Sequence, residues 1–234
     1  MASRAATILI HDESLGEELR IPPEAQSFGG FRGWAHSEEF PERGRIDYLA
    51  GEIEVDMSPE NLYTHSVVKS AVAAELHGLI TKRKLGNVFI DRTRFSSPAV
   101  ELSVEPDIAA VLWSSLEAVR LRELPSARGA EGDYIEFEGP PDLVVEIVSA
   151  SSVGKDTKRL PPLYAAMGVP EFWLIDARGD DLLFVVHELV GGAYRRIAQD
   201  DGWVLSPFLG RRVRLVRTLT RFSRWAYELE HETA

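Results

Sequence analysis

Cysteine is absent from the 234 residues of the chain. Its absence excludes disulfides, thiolate nucleophiles and cysteine-based zinc sites, and it agrees with a reducing compartment. The sequence also lacks apolar runs of membrane-spanning length, and the first residues, MASRAATILIHDESLGEELR, contain no apolar core of signal-peptide length. These absences predict a soluble, cytoplasmic protein without a membrane partner.

Positive charge is in deficit, because 26 Lys and Arg stand against 37 Asp and Glu and give a formal net charge of −11. This balance argues against a general coating role on nucleic acid, which requires cations that neutralise phosphates. The cations are nevertheless clustered in TKRKL (81–85), DRTRF (91–95) and RRVRLVRTLTRFSRW (211–225). Such clusters are more often solvated surfaces, so they permit a DNA partner without requiring one. The candidate nucleic-acid contacts are Lys82, Arg83, Lys84, Arg92 and Arg94.

The apolar patterning predicts a chain in which strands outnumber helices. TILI and EELRIP indicate an N-terminal hairpin before a short helix, and alternation around Ala50-Gly51 places Glu52, Glu54 and Asp56 on one strand face. Helical spacing predicts helices from Pro59 to Lys84, in SSLEAVRLREL, in PPLYAAMG and from Leu219 to Leu229. We expect an α/β or α+β fold with a mixed sheet, in which residues 1–40 form an extension packed on one domain, 41–234.

One carboxylate, Glu146, interrupts the apolar strand of PPDLVVEIVSASS (140–152). A run of Leu, Val and Ile without polar alternation is typical of a strand covered on both faces. An isolated buried carboxylate costs on the order of several kcal/mol, unless a cation or donor compensates it. We therefore expect a compensating group opposite Glu146.

A second carboxylate, Asp107, opens the strand of VEPDIAAV (104–111). Taken alone, Asp107 is more often a turn former. Two carboxylates on adjacent strands would repel each other, and a hard divalent cation with oxygen ligands would stabilise both. Mg²⁺ (or Mn²⁺) is the expected cofactor, because it polarises phosphoryl oxygens and helps to generate hydroxide from water.

A cation near the reacting phosphate would complete such a site. GKDTKRLPPLY follows the Glu146 strand at once and offers Lys155 and Lys158, although loop lysines are nearly always solvated. His65 is a further candidate catalytic residue, because it could border the site from the first long helix, although a packed or surface role is more common for such a histidine. Glu52 could add a carboxylate from the hairpin, although its alternation with Glu54 and Asp56 fits a solvated strand face equally well. Asp142 lies about 13 Å from Glu146 along the strand and is expected to cap a turn.

These segments resemble the signatures of a known family. EPDIAAV, PPDLVVEIVSASS and KDTKRLPPLYAAMGVPEFWLIDAR resemble successive motifs of the Uma-two family, a bacterial group of restriction-endonuclease-like proteins, and RIDYLAGEIEVDMSPENLYTH resembles its N-terminal signature. The family is placed in the PD-(D/E)XK nuclease superfamily. The resemblance implies a restriction-endonuclease-like fold, a mixed central sheet flanked by helices.

The resemblance also implies roles for individual residues. Asp107 matches the Asp of the PD motif and Glu146 the (D/E) position, but the superfamily's lysine would fall at Val148. A relocated lysine is therefore implied, with Lys158 as the first choice and Lys155 as the second. Many relatives also carry a lysine four residues before the tyrosine, where this chain has Leu160.

Two functions remain open from the sequence. The first is a Mg²⁺-dependent endodeoxyribonuclease that hydrolyses phosphodiester bonds in DNA, as a homodimer if it cuts both strands. The second is a catalytically inactive nuclease-fold module that binds DNA or a protein partner, which the missing lysine at Val148 and the negative net charge favour.

Overall fold

The computed structural model describes residues 8–12, 17–126, 129 and 131–232. Within these residues the strands are β1 (Ile8–Asp12), β2 (Glu17–Ile21), β3 (Arg45–Leu49), β4 (Glu52–Asp56), β5 (Gly86–Ile90), β6 (Arg94–Ser97), β7 (Leu102–Val104), β8 (Ile108–Leu112), β9 (Arg122–Pro125), β10 (Tyr134–Glu138), β11 (Leu143–Ile147), β12 (Glu171–Asp176), β13 (Leu183–Val190), β14 (Ala193–Arg196), β15 (Gln199–Asp200), β16 (Trp203–Ser206), β17 (Arg211–Leu219) and β18 (Trp225–His231).

The helices are α1 (Phe28–Ala35), α2 (Val67–Leu79), α3 (Trp113–Glu117) and α4 (Leu160–Met167), with 3₁₀ turns at Pro23–Gln26 and Pro98–Val100. π-helical turns at Leu62–Ser66 and Lys155–Arg159 lead into α2 and α4. Within the described part of the chain, no helix combines the length and the apolar character needed to cross a membrane.

The central sheet follows the strand order β14-β13-β12-β11-β8-β5. It is mixed, because β11 runs parallel to β12 and antiparallel to β8. Every residue of β11 is buried, since both faces of the sheet are covered. Leu143, Val145 and Ile147 share a core with α2 and the C-terminal strands, whereas Val144 and Val148 share one with α4. Alternation along the strand therefore directs Glu146 to the α4 face.

A second sheet follows the order β4-β3-β7-β6-β10-β9 and packs against the α4 face of the central sheet, where Phe95 joins the same core as Val144. Its strand β3 alternates in character. Ile46 and Tyr48 are buried against α1. The intervening residues Arg45 and Asp47 project from the opposite face of the strand. This alternation places the Arg45 guanidinium and the Asp47 carboxylate near the end of the central sheet that carries Glu146.

The predicted mixed fold and the N-terminal hairpin are confirmed, since β1 and β2 pair antiparallel. The predicted C-terminal helix from Leu219 to Leu229 is wrong. β17 and β18 form an antiparallel hairpin in which Leu215 lies opposite Leu229, and both side chains are buried. Alternation of arginines with apolar residues along β17 gives a period of two, which the sequence analysis missed in favour of a helical period.

The helix predicted in SSLEAVRLREL is also too long. α3 ends at Glu117, and the remainder of the segment turns into β9. β9 pairs antiparallel with β10. The pairing joins two stretches of alternating apolar and charged residues. Such short stretches become strands when a partner strand is available to pair with them.

Candidate functional site

Asp107 and Glu146 meet at the junction of β8 and β11. The antiparallel register places Val145 opposite Ile108, so the next pair sets Glu146 opposite Asp107 on one face of the sheet. The Asp107 backbone N–H donates to Glu146 Oε2 at 3.4 Å, and the Ile147 N–H donates to Asp107 Oδ2 at 2.8 Å. Both side chains are buried. The structure thus brings together the two carboxylates that the sequence singled out.

Asp107 is surrounded by cations. Arg45 Nη2 donates to Asp107 Oδ1 at 2.7 Å, Lys69 Nζ lies 3.4 Å from the same oxygen, and His65 Nε2 lies 3.4 Å from Oδ2. Burial alone would raise the pKa of Asp107, but the hydrogen bond with His65 and the charges of Arg45 and Lys69 hold the pKa well below its ordinary value. Asp107 is therefore ionised at neutral pH.

Glu146 has the opposite environment. The Tyr164 hydroxyl donates to Glu146 Oε1 at 2.5 Å. Burial first, and then the nearby charges of Asp107 and Asp156, raise the pKa of Glu146 to about 8, and Lys155 and Arg45 offset only part of this. Without a further cation, Glu146 is therefore mostly protonated at pH 7.

A buried lysine stands beside these carboxylates. Lys155 Nζ donates to Asp47 Oδ2 at 3.1 Å, and Asp47 Oδ1 accepts the Glu105 N–H at 3.1 Å. Burial alone would lower the pKa of Lys155, but the charges of Asp47 and Glu146 raise it above its ordinary value. Lys155 is therefore a fixed ammonium group that Asp47 holds near Glu146.

A cleft of about 320 Å³ borders this cluster through Arg45 and His65, and Glu60, Asp91 and Arg92 also contribute to its walls. Glu60 Oε1 accepts a hydrogen bond from Lys69 at 2.6 Å. Burial would lower the pKa of His65, but its contacts with Asp107 and Glu60 raise the pKa to about 9. Ligand atoms of Glu60, His65 and Asp107 lie within 4.8 Å of one another, which is a spacing that one metal ion can bridge.

Two π-helical turns position the side chains of the cleft. His65 lies in Leu62–Ser66, where the Asn61 side chain accepts the Tyr63 and Thr64 N–H groups and caps the turn. Lys155 opens the turn Lys155–Arg159, which leads into the helix of Tyr164. Such turns are frequent at functional sites because they re-aim side chains at a helix end.

The structure separates the other candidate catalytic residues from the cluster. Lys158 is exposed on the turn whose other side buries Lys155. Glu52 is also exposed, and its carboxylate accepts a hydrogen bond from Arg159 at 3.1 Å. Asp142 accepts hydrogen bonds from the Leu112 N–H and the Ser115 hydroxyl, which fits the structural role expected of it.

The candidate nucleic-acid contacts are also divided. Arg92 is exposed at the cleft. Arg94 is buried, pairs with Glu105 and donates to the Ile46 carbonyl at 3.1 Å, so its guanidinium is engaged inside the protein. Lys82, Arg83 and Lys84 stay candidate contacts outside the cleft wall. They follow the C-terminal end of α2, about 20 Å along the helix from His65.

Sequence reasoning missed several members of the cluster, namely Arg45, Asp47, Glu60, Lys69 and Tyr164 as site residues. A signal existed for the β3 pair, because RIDYL alternates charged and apolar residues in a segment that belongs to the family-like N-terminal signature. Tyr164 likewise lies in KDTKRLPPLY, where the proline pair indicates the first turn of a helix and the tyrosine follows it directly after Leu163.

Comparison with known proteins identifies a family and a similar fold. The model of the Uma2 (Uma-two) family, described as "Putative restriction endonuclease", matches residues 34–218. A crystal structure described as a "putative nuclease belonging to DUF820" from Anabaena variabilis ATCC 29413 matches with a TM-score of 0.58 and 19% identity, over 79% of this chain and 90% of that chain. No curated protein matches the sequence. The family match spans most of the chain, which therefore belongs to the Uma2 family of restriction-endonuclease-like proteins.

Proposed function

We propose that the protein is a metal-dependent endonuclease that hydrolyses phosphodiester bonds in DNA. The observation that carries the proposal is the pair of buried carboxylates, Asp107 and Glu146, on adjacent strands next to a cleft whose wall includes His65, a partner of Asp107. A buried lysine, Lys155, accompanies them. An acid pair with an adjacent ammonium group is the minimum set for metal-assisted attack on a phosphodiester.

The residues present fit a divalent cation. Asp107 and Glu146 lie on adjacent strands and offer carboxylate oxygens, the ligands preferred by Mg²⁺. Glu60 offers a further carboxylate at the cleft wall, within 4.8 Å of a ligand oxygen of Asp107. His65 carries a proton at neutral pH, so the carboxylates are the better ligands for Mg²⁺, whereas Mn²⁺ also accepts imidazole. When bound, the ion would supply Lewis-acid polarisation of the phosphate and lower the pKa of a coordinated water.

The protein's own groups have separate roles in this proposal. Asp107 and Glu146 hold the cation, and the Tyr164 hydroxyl orients Glu146. Lys155 places a positive charge where charge develops on the scissile phosphate, in preference to the exposed Lys158. Arg92 contacts a substrate phosphate at the entrance of the cleft.

A plasmid-nicking assay tests the proposal. The wild-type protein should nick supercoiled DNA with Mg²⁺ or Mn²⁺ and should be inactive with EDTA, while Asp107→Asn and Glu146→Gln should be inactive with either ion. Glu171→Gln is the matched control, because Glu171 is a buried acid that bonds Ser206 and Trp173 away from the cleft. Activity of the wild-type protein in EDTA, or of Asp107→Asn with Mg²⁺, would refute the assignment.

A second function, a nuclease-fold module that binds DNA or a protein without cutting, is favoured by one observation. Arg45, Lys69 and His65 already compensate the charge of Asp107, so this carboxylate does not need a metal ion to be buried. Calorimetric titration with Mg²⁺ separates the two functions. The nuclease should bind the ion with an affinity that Glu146→Gln removes, whereas the non-cutting module should show no heat beyond dilution.

A further inference from the structure

The turn between β17 and β18, residues 219–225, is called the hairpin tip here. Its backbone is held by hydrogen bonds from the Thr220 N–H to the Arg224 carbonyl at 2.8 Å and from the Ser223 N–H to the Thr220 carbonyl at 2.9 Å. Thr220 Oγ1 also accepts the Arg224 N–H at 3.2 Å. The tip is therefore a defined turn that presents its side chains in fixed directions.

The tip exposes large apolar side chains. Phe222 is 69% exposed and Leu219 is 60% exposed. The Arg221 guanidinium lies 4.7 Å from the centroid of the Phe222 ring. An aromatic ring held in solvent by an ordered turn is suited to stacking against a planar partner.

The tip also carries uncompensated positive charge. Two other arginines of the hairpin are neutralised within the protein, since Arg212 pairs with Glu232 and Arg214 with Glu230. In the described part of the chain, no carboxylate lies within ion-pair distance of Arg221 or Arg224. Their guanidinium groups lie over the rings of Phe222 and Tyr63. In a chain of net charge −11, two free guanidinium groups beside an exposed ring favour a polyanion.

The hairpin tip contacts the π-helical turn at the start of α2. The Arg224 guanidinium is 5.7 Å from the ring of Tyr63, which belongs to the same π-helical turn as His65. His231 Nε2 lies 3.0 Å from Glu75 Oε1 and fastens the hairpin to α2. The tip also falls beyond residue 218, where the family match ends.

We propose that the hairpin tip binds a nucleic-acid strand that leads to the cleft, with phosphates on Arg221 and Arg224 and an unpaired base stacked on Phe222. Stacking on an aromatic ring combined with arginine contacts is the way in which single strands are held, and a base can reach Phe222 only where it is not paired. The inference rests on the proposed function and specifies its substrate class as DNA with a single-stranded segment.

Fluorescence anisotropy with labelled single-stranded and duplex oligonucleotides in EDTA tests the tip without cleavage. Phe222→Ala should weaken single-strand binding by about tenfold and duplex binding much less, and Phe222→Trp should restore it. Arg221→Ala with Arg224→Ala should lower the slope of log K against log salt by about 1.4 for a single strand, from about 0.7 for each phosphate.

The control is Arg196→Ala, which removes an exposed arginine from the edge strand β14 without altering the tip. If the wild-type protein binds and cuts DNA and the tip variants bind it equally well, the role of the tip is overturned but the nuclease is not. Loss of binding by these variants in a protein that does not cut would support the tip and reject the nuclease. A Phe222→Ala change that only converts a dimer to a monomer in light scattering would overturn the inference in favour of a second copy.

Discussion

Neutralising the two central carboxylates should change stability in opposite directions. Asp107→Asn removes the anion that compensates Arg45, Lys69 and His65, whereas Glu146→Gln removes an acid whose charged form the site disfavours. The substitutions are chemically equivalent and the positions adjacent, so the sign of each effect reports on local electrostatics alone.

The magnitude for Glu146 follows from its pKa, which rises from an ordinary 4.5 to about 8. Below pH 4.5 this carboxyl group is protonated in both the folded and the unfolded chain, so it does not lower the free energy of unfolding. As pH rises from 4.5 toward about 8, it ionises only in the unfolded chain, and the free energy of unfolding falls. The penalty at pH 7 is on the order of 3 kcal/mol. The amide introduced by Glu146→Gln would avoid it, because its carbonyl can accept the Asp107 N–H while its NH₂ group donates to the Tyr164 hydroxyl.

Asp107 has the reverse dependence. Its lowered pKa contributes stability that is fully present above an ordinary Asp pKa and is lost as pH falls. Removing one partner of a buried ion pair costs about 3 to 5 kcal/mol, and loss of the proton from His65 can recover part of it. At pH 7 in EDTA we therefore expect Glu146→Gln to raise the melting temperature by about 6 to 12 °C and Asp107→Asn to lower it by a similar amount.

Thermal and urea unfolding at pH 5, 7 and 8.5 in EDTA provide the assay. The advantage of Glu146→Gln should be small at pH 5 and should grow with pH, because the wild-type side chain ionises in the unfolded chain well before it does so in the folded protein. Glu171→Gln serves again as the control for loss of a buried acid outside the cluster. Destabilisation by Glu146→Gln at pH 8.5, or a difference that does not vary with pH, would refute the electrostatic reasoning.

Three further outcomes are expected. In single-turnover cleavage, Lys155→Met should lower the rate by about two to three orders of magnitude, while exposed Lys158→Met should cut at nearly the wild-type rate; the reverse result would assign the role to Lys158. Arg92→Ala should lower the salt slope of duplex DNA binding by about 0.9, and Lys82→Ala should leave it unchanged. His65→Gln should destabilise the protein most below pH 6.5, with the effect lost as pH rises through about 9, so a constant difference in urea unfolding would contradict this.

The central part of the fold could be predicted from local pattern. The apolar runs around Glu146 and directly after Asp107 predict two buried strands, and both strands are present. The C-terminal hairpin could not be predicted in the same way. Its arginines alternate with apolar residues over β17, but the segment from Leu219 to Leu229 also satisfies a helical period, and strand pairing decides between them.

The composition of the site was less predictable than its two acids. Arg45 and Lys69 approach Asp107 from 62 and 38 positions earlier in the chain, and no local pattern encodes such a meeting. The ranking of the lysines depended on treating residues 149–159 as a loop. The segment is a π-helical turn from Lys155, in which residues five apart lie on one side, so Lys155 turns inward with Leu160 while Lys158 faces solvent. The sequence-based first choice of Lys158 stays a prediction that the cleavage experiment decides.

The two carboxylates differ in how far neighbouring charges compensate them, and this difference helps to decide between the two proposed functions. A purely structural cluster would gain by compensating both acids or by replacing one, and an uncharged residue at position 146 would remove a penalty of about 3 kcal/mol at pH 7. Among the described residues, three cations converge on Asp107, whereas Glu146 accepts hydrogen bonds only from a hydroxyl and, weakly, from a backbone N–H. Retention of a destabilising group at such a position is typical of a site in which activity limits stability. A stabilising effect of Glu146→Gln in EDTA, together with loss of Mg²⁺ binding, would therefore favour the nuclease over the non-cutting module.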